Sequence, residues 1–480
     1  MFRTASYDAN PMTKQNRIPS SPAGSTGFQF SSQQLQDTVD AALQAAKKLG
    51  VSDAVAEASE GHGLSVSVRQ LALENVERNR DKSLGVTVYW GHCRGHASTS
   101  DFSAAAITQT VQAALDIAKF TAEDPMAGLP DPGDVVTEVR DLDLFHPWDI
   151  DAEAAAAIAM ACEDEALRTS RLITNSEGAG VSAQHSHFFA AHMRQGQTHG
   201  DGIFRGGYAS TRHSLSVAPI AGKGDGMQRD HWYTSMRDPR DMASPQAVGR
   251  YAAERTLARL NGRRISTMTC PVLFEAPLAS GLLGAFVQAI SGGSLYRNSS
   301  FLQDSLGKQV FAKHIDIDED PFILKGKGSS PFDDEGVRVQ ARRVLEAGRV
   351  RGYFLGSYSA RKLGMQTTGH AGGSHNLVMR SRLPHPGDDL KAMLKKLHRG
   401  LFVTELMGHG VNGVTGDYSR GASGYWVENG EIAYPVQEIT IAGNLKTMFK
   451  DIVAIGADEY NLGAKTTGSV LVAKMKVAGA

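Results

Sequence analysis

Histidines are the residues of this sequence best suited to metal chemistry, and there are sixteen of them. A zinc peptidase needs at least two ligands fixed on one element, and a carboxylate that takes a proton from the bound water. The motifs HExxH and HExxxH supply both on one helix, but no histidine here is followed by glutamate. His370 and His375 have the outer spacing of HExxxH, yet Ala371 stands where the glutamate belongs and Gly372-Gly373 disfavours a helix.

Two further histidine groups have spacings that metal sites use. His92 and His96 bracket Cys93, while His185 and His187 share one face of a predicted strand. We interpret both groups as surface or hydrogen-bonded histidines, because neither comes with the carboxylate and the regular helix of a peptidase site. The candidates that stay open for a metal site in this chain alone are three histidines: His370, His375 and His409.

Two short motifs partly match the sequence patterns of nucleotide-binding and calcium-binding loops. Gly408–Gly413 matches GxGxxG, but the following residues are typical of a loop, whereas a dinucleotide site needs a helix there. Ile315–Asp320 has the initial spacing of a calcium loop, but Pro321 and Lys327 occupy its glycine and glutamate positions. We therefore predict a strand whose isoleucines face a core and whose aspartates face solvent.

The composition is that of a globular protein, with 480 residues, 41% hydrophobic and 21% charged. Lys and Arg number 50 against 51 Asp and Glu, so no overall charge surplus favours nucleic acid. Three isolated cysteines are a poor disulfide framework and indicate a reducing, cytoplasmic setting. The N-terminus lacks the apolar core of a secretory signal, and no apolar stretch approaches the roughly 20 residues of a membrane span. We expect a cytoplasmic protein that binds neither nucleic acid nor membrane.

The order of predicted elements indicates an α+β fold with two main domains. Residues 1–27 are predicted to be a disordered tail. Residues 28–265 are predicted to form an N-terminal α/β layered domain, with a sub-boundary near residues 124–150. Residues 266–480 are predicted to form a strand-rich C-terminal domain with a few helices.

Local signals support this arrangement. Ser31 and Gln34 have capping-box spacing ahead of a helical stripe, and Leu64–Arg69 alternates as a strand does. Asn429-Gly430 is the best hairpin signal in the chain. Further helices are predicted at these segments: Ala152–Arg168, Leu278–Ile290, Asp388–His398 and Asn444–Asp451.

Long motifs in the C-terminal half carry a family resemblance. Gly400–Glu431 reads GLFVTELMGHGVNGVTGDYSRGASGYWVENGE and resembles the C-terminal signature of PmbA/TldE proteins of the TldD/PmbA metallopeptidase family. Four shorter segments fit the same group: Ala289–Arg297, Phe301–Lys308, Pro331–Arg338 and Ser357–Gly364. Such long motifs are far more specific than any six-residue pattern.

The resemblance implies one half of a TldD/TldE assembly that cleaves unfolded peptides, such as leader peptides and labile antitoxins. In that family the TldD-type chain carries HExxxH and a later cysteine as zinc ligands. The corresponding helix falls around Ser280–Gln288 and the cysteine near Gly463–Lys465, where this chain has neither histidine nor cysteine. We therefore expect no cofactor in this chain, and zinc in a TldD-type partner that forms a heterodimer with it.

What remains for this chain is support of the partner and handling of peptide. The glycine-rich stretch 408–424 allows close backbone approach, and four of its residues are candidates for contact with peptide or partner: Asp417, Tyr418, Ser419 and Arg420. The alternative role of Asp417 and Arg420 is to pair and fix the loop. Two other functions stay open: an independent metallopeptidase or homodimer using His370, His375 or His409, and a non-hydrolytic module such as a DNA gyrase modulator.

Overall fold

The computed structural model describes residues 27–197, 203–383 and 388–479. The predicted disordered tail therefore lies, up to residue 26, outside the described residues. The predicted α+β class is confirmed, with helices and strands in both halves of the chain. In the described part of the chain, no helix is long and apolar enough to cross a bilayer.

A seven-stranded antiparallel sheet organises the N-terminal half. Its order is β3-β2-β1-β4-β5-β6, with β7 also paired to β5. The strands are β1 (Asp53–Arg69), β2 (Ala72–Trp90), β3 (Cys93–Thr99), β4 (Ile173–Arg194), β5 (Arg205–Ala221), β6 (Gln228–Arg229) and β7 (Trp232–Met236). Four helices accompany it: α1 (Ser32–Lys48), α2 (Ala104–Phe120), α3 (Ala152–Arg168) and α4 (Pro245–Ala258).

All four helices cover the same face of this sheet. Helices α1 and α2 pack on one half of it, around Leu84 and Val86, while α3 and α4 pack on the other half, around Val66 and Val68. The capping box predicted at Ser31 is present and begins α1. The opposite face carries mainly small and polar side chains, together with aromatic ones such as Phe188 and Tyr208, and it faces the rest of the chain and solvent.

The C-terminal half contains two six-stranded sheets, in the orders β11-β10-β9-β12-β18-β17 and β15-β14-β13-β8-β19-β16. Its strands are β8 (Met268–Phe274), β9 (Ile315–Asp320), β10 (Arg342–Glu346), β11 (Arg349–Val350), β12 (Asn376–Ser381), β13 (Gly400–Met407), β14 (Asp417–Glu428), β15 (Glu431–Asn444), β16 (Ile452–Ile455), β17 (Tyr460–Leu462), β18 (Lys465–Thr467) and β19 (Val470–Ala478). Its helices are α5 (Ala276–Ala289), α6 (Gly292–Tyr296), α7 (Ser357–Lys362), α8 (Leu390–Leu397) and α9 (Leu445–Met448).

Several local predictions are confirmed in this half. Asn429 and Gly430 have φ values of 54° and 77°, the left-handed pair that a two-residue hairpin between β14 and β15 requires. Ile315 and Ile317 are fully buried, and Asp318 on the other face of β9 is half-exposed and pairs with Arg343. Asp316 on that face is only 13% exposed and pairs with Arg382, so it is less solvated than predicted. Helix α9 is shorter than predicted.

The two halves meet on the uncovered face of the first sheet. Phe188 and Tyr208 contact Phe332 of the C-terminal domain, with ring centroids 6.2 Å and 5.6 Å away. The irregular segment 121–151 also crosses to that domain, where Val135 bridges to Val337. The C-terminal domain thus covers the β4–β5 side of this face and leaves much of β1 and β2 open.

Candidate functional site

The two segments expected from the resemblance to correspond to the zinc-ligand positions of a TldD-type chain lie side by side. Ser280–Gln288 is on helix α5, which packs against β17 and β18. A Cβ atom placed on Gly284 would lie 3.7 Å from the Cε atom of Lys465, the first residue of β18. We call the surface between α5 and β18 the α5–β18 seam.

Helix α5 presents no metal-binding side chain to this seam. Leu282, Leu283 and Phe286 are buried in the main core of the C-terminal domain. The hydroxyl of Ser280 donates to the carbonyl of Ala276 one turn back, at 3.4 Å. Among the described residues, no group of three or more His, Cys, Asp and Glu side chains is arranged to hold a metal ion.

The glycine-rich segment before β14 folds back on itself. The amide of Ser419 donates to the carbonyl of Gly410 at 2.7 Å, and a Cβ atom on Gly410 would lie only 1.5 Å from the carbonyl oxygen of Ser419. Glycine is therefore required at position 410, because the chain approaches its own backbone there.

The four candidate contact residues differ in accessibility. Asp417 and Ser419 are exposed, whereas Tyr418 is 4% exposed and packs near Phe274. Asp417 accepts hydrogen bonds from Thr415 and Asn444 that lower its pKa. Within the described residues Asp417 forms no ion pair with Arg420, whose Nη2 atom instead points to the carbonyl of Leu406 at 3.5 Å.

His370 and His375 are close together but belong to a hydrogen-bonded buried cluster around Glu319. The Nε2 atom of His370 lies 2.9 Å from the Glu319 carboxylate, and the Nε atom of Arg342 lies 2.8 Å from it. The backbone amide of His375 donates to the same carboxylate at 2.8 Å. Burial would raise the pKa of Glu319, but hydrogen bonds from His370 and Arg342 lower it to about 2.

The Glu319 cluster is accounted for by structure alone. Burial lowers the pKa of His370, whose second ring nitrogen bonds to the Thr368 hydroxyl. Alternation along β9 would have placed Glu319 beside Ile315 and Ile317 on the buried face, a signal that the sequence contains. His409 lies apart, exposed in the loop after β13.

The other histidine groups are hydrogen-bonded, as interpreted from sequence. His185 accepts a hydrogen bond from the amide of Trp148 at 3.0 Å, and His187 lies 3.4 Å from the Glu60 carboxylate. Burial lowers the pKa of both imidazoles. The ring of His96 bonds to the Thr87 hydroxyl, and that of His92 to the carbonyl of Ala127.

Three segments of the chain match a single peptidase family. Residues 54–118 match the PmbA/TldA metallopeptidase domain 1, residues 145–260 its central domain and residues 267–479 its C-terminal domain. The chain belongs to the PmbA/TldD metallopeptidase family. It is 48% identical to Metalloprotease PmbA of Escherichia coli O157:H7 over 446 residues, which cover 93% of this chain and 96% of that protein. It is 45% identical to a PmbA homolog of Haemophilus influenzae, with the same coverage of both chains.

Solved structures share the fold of this PmbA/TldD chain. A putative modulator of DNA gyrase from Bacteroides thetaiotaomicron superposes with a TM-score of 0.84 at 24% identity, covering 94% of this chain and all of that one. TldE from Thermococcus kodakarensis superposes with a TM-score of 0.76 at 16% identity, covering 92% of this chain and all of that one. The predicted family and fold are thereby confirmed.

One cavity of this PmbA/TldD chain was not anticipated from the sequence. It has a volume of about 940 Å³ and lies between the uncovered face of the first sheet and the C-terminal domain. Its lining includes Tyr89 and His192 from the sheet, the loop 121–130, and Asp334 and Glu335. The two acidic residues lie in the segment Pro331–Arg338, whose resemblance to the family is visible in sequence but whose position on a cavity is not. We call it the interdomain cavity.

Proposed function

We propose that this chain is the PmbA/TldE-type subunit of a cytoplasmic zinc metallopeptidase complex that cleaves unfolded peptides such as leader peptides and labile antitoxins. In this proposal the chain holds no zinc and supports a TldD-type catalytic partner. The α5–β18 seam carries the proposal. The segments that correspond to the zinc-ligand positions of a TldD-type chain are adjacent in this chain, but the residues in contact there are Gly284 and Lys465.

The donor set of the seam does not suit zinc. Structural and catalytic zinc sites use Cys, His and carboxylate ligands, usually at least three from the protein. The helix offers only alanine, glycine, leucine, phenylalanine and other neutral side chains, and Lys465 brings a positive charge that opposes a cation. No hydrolytic step is therefore assigned to residues of this chain.

A role in peptide handling is supported by the edge of the first sheet. Strand β2 pairs with β1 along its length, but β3 covers only residues 84–90 on its outer side. In the described chain, residues 72–83 therefore have an unpaired strand edge. An extended peptide can add to such an edge through main-chain hydrogen bonds, which ignore sequence and so suit an enzyme of unfolded chains.

Metal analysis combined with a peptidase assay tests the proposal. The purified chain should contain no stoichiometric zinc and should cleave an unstructured casein-type substrate only after a TldD-type chain is added. One tightly bound zinc per chain, together with cleavage by the isolated chain, would contradict it.

The same assay tests whether His409 takes part in hydrolysis. His409→Ala is a suitable variant because His409 is exposed, so its loss should not disturb the fold. We expect the mixture with the partner to retain full cleavage. If His409→Ala lost cleavage while it still folded and bound the partner, the active site would have to include this chain.

A further inference from the structure

The interdomain cavity has an excess of carboxylates: four acidic side chains line it, Glu123, Asp124, Asp334 and Glu335, against two basic ones, Arg94 and Lys362. Among its lining groups, Asp124 pairs with Lys362 at 3.0 Å and accepts a hydrogen bond from Tyr358 at 2.6 Å, so this pair is internally balanced. Asp334 and Glu335 pair with no basic side chain in the described residues. The wall of the C-terminal domain is therefore left with net negative charge.

The position of the Asp334 carboxylate is set by the backbone and not by a counter-ion. The preceding Asp333 is buried and accepts hydrogen bonds from the amides of Glu335, Val337 and Ala371, each at 2.9 Å, which fixes the turn. Gly372, at φ 93°, lies beneath the carboxylate, where a Cβ atom would come within 2.3 Å of Oδ2. Desolvation and the neighbouring Glu335 raise the pKa of Asp334, a sign that its charge is poorly compensated.

A second acceptor lines the cavity from the sheet. His192 is only 6% exposed, and no described residue forms a hydrogen bond with its ring. Burial lowers its pKa to about 4, so the imidazole is neutral at pH 7 and offers a lone pair. A hydrogen-bond donor that enters the cavity can therefore bind this lone pair.

We propose that the interdomain cavity binds the side chain of a lysine or arginine in an extended peptide. An ammonium or guanidinium group carries several N–H donors and a positive charge, which match the carboxylates of Asp334 and Glu335 and the imidazole of His192. The loop 121–130 supplies Pro125 and Leu129, against which the apolar stem of such a side chain can pack.

This inference rests on the proposed role in peptide handling and specifies the substrate class: unfolded peptides that contain a basic residue. A bare metal ion is a poorer occupant, because the described residues hold no cluster of three or more suitable ligands. The volume of about 940 Å³ is at the upper end of ligand pockets and accommodates a side chain with its flanking backbone.

Peptide binding to the full chain tests the inference without zinc or partner. The probes are two fluorescein-labelled ten-residue Gly/Ser peptides, one with a central lysine and one with norleucine in its place. Fluorescence anisotropy should show tighter binding of the lysine peptide. Asp334→Asn and Glu335→Gln should each weaken it by about tenfold, because a charge-assisted hydrogen bond is lost. The norleucine peptide should bind equally to all variants.

A matched control removes one negative charge elsewhere. Glu431→Gln lies on the exposed hairpin after β14 and should leave the affinity for the lysine peptide unchanged. Equal affinity for the two peptides, absence of lysine-peptide binding, or equal weakening by Glu431→Gln would each overturn the inference. Failure of the proposed function would appear separately, as zinc and hydrolysis in the isolated chain.

Discussion

Two of the groups that combine carboxylates with histidine differ in how completely they are hydrogen-bonded: the group around Glu319 and the group at the interdomain cavity. Around Glu319, Arg342 and two histidines supply donors from the chain itself, and the pKa of the carboxylate falls to about 2. At the interdomain cavity, no residue that the structure describes donates a hydrogen bond to Asp334, and its pKa is raised.

Under the proposal for the cavity, this difference separates structural from ligand-binding carboxylates, which residue type alone does not. A saturated buried group stabilises the fold and has no capacity left for a ligand. A buried group without enough hydrogen-bond donors costs stability, which makes it a candidate for contact with a ligand. Sequence motifs pointed to His370 and His375, but these belong to the saturated group.

The largest expected effect is the loss of the saturated carboxylate. Glu319→Ala leaves the Arg342 charge buried without its partner, which costs about 3–5 kcal/mol in the free energy of unfolding. Urea denaturation followed by circular dichroism measures this. Asp318→Asn on the same strand removes an exposed ion pair and should cost no more than about 1 kcal/mol. Equal losses for the two variants would contradict the comparison.

The pH dependence of stability should also follow Glu319. Its pKa in the folded chain, about 2, lies below the ordinary value of 4.5, so the ionised form is favoured by folding. This contribution is present above pH 4.5 and is lost as the pH falls toward 2. Thermal unfolding of the wild type should therefore shift down over this interval, and Glu319→Gln should flatten that part of the profile. If the unfolding temperature of Glu319→Gln fell with pH as steeply as that of the wild type, Glu319 would not be the group responsible.

The smallest expected effect is a gain in the free energy of unfolding, and it concerns Asp334 at the interdomain cavity. Because the pKa of Asp334 is raised, its charge opposes folding at neutral pH. Asp334→Asn should raise the free energy of unfolding at pH 7 by up to about 1 kcal/mol, as replacements at binding sites often do. Glu431→Gln should stay within about 0.5 kcal/mol of the wild type. A marked destabilisation by Asp334→Asn would place Asp334 with the structural carboxylates.

Local signals in the sequence predicted much of the fold. The capping box at Ser31, the alternation in Leu64–Arg69 and the turn at Asn429-Gly430 each depend on neighbouring residues, and each is present in the structure. Helix α5 was predicted because its apolar residues recur at helical spacing.

The sites were less predictable because they depend on distant contacts. Glu319 and Arg342 are separated by 23 positions, and their pairing follows from the register of β9 and β10. The interdomain cavity needs residues from the first sheet, the loop 121–130 and the C-terminal domain together. No periodicity in one segment reveals that His192 and Asp334 line the same space.

The unpaired edge of β2 has a consequence for how the chain is maintained in a cell. Leu73 and Val76 on this strand, and Leu71 in the turn before it, are exposed apolar side chains beside backbone groups that have no described strand partner. Such an edge is a template for adding strands from any chain, including another copy of itself. If the proposed TldD-type partner covers this edge, a chain made in excess of that partner would leave the edge exposed and prone to aggregation, which would favour matched synthesis of the two.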